Sequence, residues 1–122
     1  GISSDMRSIE EAYNKGNQKA ITATNAYIYR IKKYIGAYTA ALGGVDIIVF
    51  TGGVGENQAS IRSGAVSGMD YLNLKVDDKL NAETRLGKEG IISTPDSKVK
   101  VVVVCTDEEL MIAQDTVNIL NK

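Results

Sequence analysis

Histidine is absent from this chain, and cysteine and proline occur once each. With no imidazole to draw off a proton, the lone Cys105 lacks an activating base, so thiol nucleophile chemistry is not expected. It ends the apolar run 99–105 and reads as a buried core thiol that forms no internal disulfide. No apolar run approaches the ~20 residues that a membrane-spanning helix needs, and the opening segment GISSDMRSIEEA has none of the parts of a signal peptide. A soluble, cytoplasmic protein with no membrane partner is therefore expected. Charge of one sign is also lacking. Fourteen basic and 15 acidic side chains leave a net charge of -1, which excludes a polyanion held by bulk electrostatics, so no nucleic-acid partner is expected. There is no internal repeat and no low-complexity tract.

The most informative segment present is VDIIVFTGGVGEN, Val45 to Asn57. Five of its first six residues are apolar, as suits a strand buried on both faces of a parallel sheet, with Asp46 at its edge. Gly52, Gly53 and Gly55 follow where the chain must turn, and Glu56 is expected to begin the next helix. Glycines in such a turn tolerate positive φ and let a ligand approach the backbone. The free N–H groups and helix dipole beyond the strand attract phosphate. Two phosphate motifs fail here. The P-loop form needs Lys and Ser or Thr where Glu56 and Asn57 stand, and the dinucleotide form meets Gln58 in place of its third glycine. A glycine cluster alone leaves nucleotide binding and a plain structural turn both open.

The rest of the chain supports one α/β domain over residues 1–122, since this length is enough for one core and too short for two full domains. The chain opens inside what reads as a loop leading to a helix cap, so it is expected to be part of something longer. Ser8 and Glu11 form a capping-box pattern, which predicts a helix from Ser8 to about Asn14 and leaves Asp5, Met6 and Arg7 in the turn before it. Positions 21, 24, 28, 31, 35, 38 and 42 carry Ile, Thr, Ile, Ile, Ile, Tyr and Leu, one stripe of a long helix that Gly43 and Gly44 stop. A helix from Glu56 to Val66, a short helix over 77–86, a short strand at 91–93, a buried strand over 99–105 and a last helix over 107–120 complete the order. The tyrosines, four of them between Tyr27 and Tyr38, read as core and interface packing rather than as a base-stacking platform. Parallel strands that each deliver the chain into a helix should open onto one crevice.

At the second strand exit, CTDEEL, Thr106 and Glu109 form another capping box and leave Glu108 free. Glu108 is either a favourable partner of the helix dipole or a magnesium ligand, because magnesium prefers hard oxygen donors beside phosphates. Asp107 is a weaker candidate for the same role.

Three blocks, GISSDMRSIEEA, RIKKYIGAYTAALGGVDIIVFTGGVGENQASIR and TDEELMIAQDT, in this order and spacing, resemble the C-terminal portion of the acetate kinase family. The resemblance covers almost the whole chain. It implies a ribonuclease H-like C-terminal domain of the actin and sugar kinase superfamily, with mostly parallel buried strands and flanking helices. It also implies reversible transfer of the ATP γ-phosphoryl group to acetate, giving acetyl phosphate and ADP, with Mg2+ present. Carried over by position, Gly53, Val54, Gly55, Glu56 and Asn57 match the nucleotide-binding turn. Asp5, Met6 and Arg7 match a second nucleotide-contacting segment, and Glu108 matches the magnesium-binding glutamate. The family's catalytic residues lie in sequence absent here, so no catalytic residue is assigned and this stretch is expected to be inactive alone. Its partners would be ATP, acetate and, in the full-length enzyme, a second subunit of a homodimer. Alternatives that stay open are a propionate or butyrate kinase of the same family, a non-catalytic nucleotide-binding module, and a structural α/β domain.

Overall fold

The computed structural model describes residues 5–106 and 108–121, and for 108–111 the backbone alone. Asp107 thus lies outside the described residues, as do the side chains of Glu108 and Glu109.

Asp5, not Ser8, caps the first helix, α1 (Met6–Asn14). The carboxylate of Asp5 accepts from the backbone N–H of Arg7 at 2.9 Å, and this direct cap at the first free amide displaces the expected start by one turn. Met6 and Arg7 are therefore the first turn of the helix. Asn17 caps the long helix α2 (Gln18–Leu42), accepting from the amides of Lys19 and Ala20. Gly43, in the left-handed region at φ 76, closes it with bonds back to Ala40 and Thr39. The expected stripe is buried only in part. Thr24 is buried and Ile21, Ile28, Ile31 and Ile35 are half-buried, but Tyr38 and Leu42 are exposed.

Strand β1 (Ile47–Phe50) leads into two short helices, α3 (Gly52–Asn57) and α4 (Ala59–Val66), where one from Glu56 was expected. Gln58 breaks them apart at φ -110, ψ 90. A 3-10 turn (Asp70–Leu72), α5 (Asp78–Glu83, capped by Asp77), β2 (Gly90–Ile91), β3 (Lys100–Val103) and α6 (Glu108–Leu120) follow. The sheet order is β1-β3-β2, with β1 parallel to β3 in the register Phe50 to Val103 and β2 antiparallel to β3.

Burial alternates along β1. Ile48 and Phe50 face the core with Val101, Val103 and Ile92, while Ile47 and Val49 are 57% and 52% exposed. The expectation of strands buried on both faces thus gives way to one covered face. α4 covers it through Ala65 and Val66, and α2 adds Ile31 and Ile35. Gly64 brings the two helices together, since a Cβ there would stand 2.9 Å from the Cδ1 of Ile28. The six tyrosines are all exposed on the surface, which corrects their expected place in the core.

Candidate functional site

Because β1 and β3 are parallel neighbours, both end at the same edge of the sheet, and the amide of Val104 still donates to Phe50 O at 3.0 Å. The two strand exits therefore open side by side, as the parallel order requires. Thr106, just past β3, donates its hydroxyl to the carboxylate Oε2 of Glu56 at 3.2 Å, so one hydrogen bond ties the two junctions together. Glu108 begins α6 two residues later; its side chain is outside the described residues. The neighbouring amide of Cys105 donates to Glu89 at 3.0 Å. Cys105 itself is half-buried rather than buried. Desolvation, followed by the carboxylates of Glu56 and Glu89, pushes its thiol above the usual range, which disfavours a thiolate nucleophile.

The turn after β1 uses its glycines in three different ways. Gly52 takes φ +75, the positive value that glycine adopts without strain. Gly53, inside α3, has nothing within 4 Å of where a Cβ would stand, so that position faces open space. Gly55 is the packed one, with a Cβ position only 3.3 Å from the carbonyl carbon of Phe50. Of the three glycines, Gly52 alone uses the positive φ that all three can tolerate.

A cavity of about 580 Å³ lies over this turn, and Asp5, Met6, Arg7, Gly53, Val54 and Asn57 line it. Segments that are far apart in the sequence thereby meet at one opening. Gly55 and Glu56 are not in that lining; they lie beneath it, Gly55 against Phe50 and Glu56 toward Thr106. The amide and then the guanidinium of Arg7 hold the carboxyl of Asp5 below its usual range, so this wall offers an ionised acceptor beside an exposed cation.

Sequence reasoning missed four lining residues, Glu10, Gln58, Arg85 and Leu86, and it missed the buried Arg62 beneath them. The guanidinium of Arg62 has no exposed surface. Its Nη1 donates to the carbonyls of Gly55 and Glu56 at 2.9 and 3.0 Å, its Nη2 to those of Asn81 and Thr84 at 2.6 and 2.8 Å, and its Nε to the side chain of Asn81 at 2.8 Å. Burial, followed by the charge of Arg85, lowers its pKa. An arginine between Ile61 and Ala65, on the face that α4 turns inward, was the one available sequence signal.

The sequence pattern of the acetokinase family matches residues 1–114 of the chain. The chain belongs to that family. It is 61% identical over all 122 residues to the acetate kinase of Bacteroides thetaiotaomicron. Among solved structures, acetokinase relatives include the acetate kinase of Porphyromonas gingivalis, 56% identical over 98% of this chain with a TM-score of 0.86. A propionate kinase of Francisella tularensis is 34% identical over 90% of it, with a TM-score of 0.77. The chain spans 30% of the length of the first two and 27% of the third. Among the described residues no helix is long and apolar enough to cross a membrane.

Proposed function

We propose that this chain supplies the nucleotide-binding part of an acetate kinase, the enzyme that transfers the γ-phosphoryl group of ATP reversibly to acetate. The observation that carries the reading is the cavity in which Asp5, Met6 and Arg7 meet Gly53, Val54 and Asn57, the same two segments that correspond to the family's nucleotide contacts. The ionised Asp5 is a hydrogen-bond acceptor for ribose hydroxyls, and the planar guanidinium of Arg7 suits stacking on a base. The open backbone at Gly53 leaves room for the nucleotide to approach. Gly55 and Glu56 act from beneath, by packing the turn on β1 and by linking it to Thr106.

Magnesium is the expected companion of the nucleotide. No three histidine, cysteine or acidic side chains form a metal cluster among the described residues. The donors beside the junctions, the Glu56 carboxylate and the Thr106 hydroxyl, are nonetheless hard oxygens of the kind magnesium takes, and Glu108 starts the adjoining helix. Bound there, the ion would neutralise phosphate charge. Acetate as the acceptor is supported by the 61% identity to an acetate kinase. In the full-length enzyme the exposed tyrosine face of α2 is the expected contact with a second subunit, and the cytoplasm is the expected location.

Phosphoryl transfer depends on cations placed around the moving group. Arg7 and Arg85 are the cations that line the cavity, too few for that task, so the chain alone is expected to bind nucleotide without making acetyl phosphate. Calorimetric titration with ADP tests the reading. Saturable binding, strengthened by magnesium and weakened several-fold by Arg7→Ala and by Glu108→Ala, is the expected outcome. A flat titration would refute a nucleotide site, and magnesium-independent binding that ignores Glu108 would favour a non-catalytic nucleotide module.

A further inference from the structure

Residues 85–88 make a tight turn beside the cavity, closed by the amide of Lys88 donating to Arg85 O at 3.2 Å. Its two central residues, Leu86 and Gly87, have φ of 54 and 87, both positive as in a type I′ turn. Asn, Asp or Gly normally occupies the first of these positions, because a side chain there crowds the backbone. Leucine is costly at that conformation, and no compensating packing is visible, since Leu86 is 79% exposed.

What holds Leu86 in place is a set of bonds from the nucleotide turn itself. The side-chain Oδ1 of Asn57 accepts from the amide of Leu86 at 2.9 Å, while its Nδ2 donates to Gly53 O at 3.1 Å. Two residues earlier, the buried Arg62 clasps the carbonyl of Thr84 with the same guanidinium that holds the carbonyls of Gly55 and Glu56. The leading side of the turn at 85–88 is thus fastened to the turn after β1 through two side chains, Asn57 and Arg62. Strain retained by surrounding bonds at the lip of a cavity is the pattern of a ligand clamp.

We infer that Leu86 forms an apolar wall of the nucleotide site, packing against the base, and that Asn57 and Arg62 are positioning residues that hold it there. The inference rests on the nucleotide reading above and adds a base contact to it. Leu86→Gly is the discriminating variant, because glycine accepts positive φ and removes only the side chain. The experiment compares ADP and pyrophosphate, which has no base, by calorimetry on the wild-type chain and the variant, with thermal melts of both. The expected result is ADP affinity lower by about fivefold to tenfold, unchanged affinity for pyrophosphate, and a melting temperature no lower than wild type. ADP bound equally well by both proteins would overturn the wall and leave the nucleotide reading standing. Equal weakening for both ligands, or a lower melting temperature, would assign Leu86 to the shape of the turn and overturn the inference. Failure of the wild-type chain to bind ADP would remove both readings together.

Discussion

Arg62 is the residue whose loss should cost this fold most. Its five hydrogen bonds saturate a guanidinium with no exposed surface, and every acceptor is a neutral carbonyl or amide oxygen. Arg62→Met would keep the apolar stem but leave four backbone carbonyls without this donor, and unpaired buried acceptors are expensive. We expect a loss of about 3 kcal/mol or more, read from the urea midpoint at unchanged slope. Arg62→Lys should recover little of it, because an ammonium cannot span acceptors that a planar fork reaches on two sides. A midpoint within about 0.5 kcal/mol of wild type would contradict the clasp. At this scale the sequence was partly legible. The two segments that meet at the cavity could be picked out because their order and spacing match a family; Gly53, Val54 and Asn57 line it, whereas Gly55 and Glu56 do not. Leu86 was not readable, since nothing in RLGK marks a leucine at positive φ apart from the glycine after it.

Elements were legible where one local signal dominated and misread where two competed. Gly43 ends α2 as expected, but at α1 the capping pattern at Ser8 yielded to Asp5, whose carboxylate reaches the Arg7 amide first. The glycine turn was expected to lead straight into one helix; instead the buried Gln58 adopts an extended conformation and splits it into two. The strand runs 45–50 and 99–105 were recognised, but apolar composition does not say which face this chain covers. The segment between α5 and β3 carries the clearest dependence on pH. Asp96 accepts from Lys75 Nζ at 2.8 Å and from Thr94 Oγ1 at 2.6 Å. The Lys75 bond first, and then the Thr94 hydroxyl, lower its carboxyl from 3.8 to about 2. A depressed carboxylate favours the folded state above the unfolded pKa, so its contribution is complete above about pH 4 and fades as pH falls through about 2. Both side chains are largely exposed, so the effect on stability is modest and best read directly. A carboxyl NMR titration should find the midpoint near 2 in the wild type and nearer 3.8 in Lys75→Met. Equal midpoints in the two proteins would show that the bridge does not set it.

Over the whole molecule, the parallel pairing of β1 and β3 sets both strand exits at one edge and so unites the two junctions that carry Glu56 and Thr106. α1 packs on α2, α2 on α4, and α4 follows the glycine turn directly, which is how Asp5, Met6 and Arg7 come to stand over Gly53. The opposite side of the sheet presents Ile47, Val49 and Ile91 to solvent, in a chain that spans 30% of the length of its acetate kinase relatives. The central claim is the location of the nucleotide between α1 and the turn after β1. Titrating ADP and magnesium into the isotopically labelled chain and mapping amide shifts by NMR tests it most directly. The account predicts that the amides of residues 5–7, 53–57 and 85–86 move together with one saturation curve. Shifts confined to other surfaces, or no shifts at all, would contradict it.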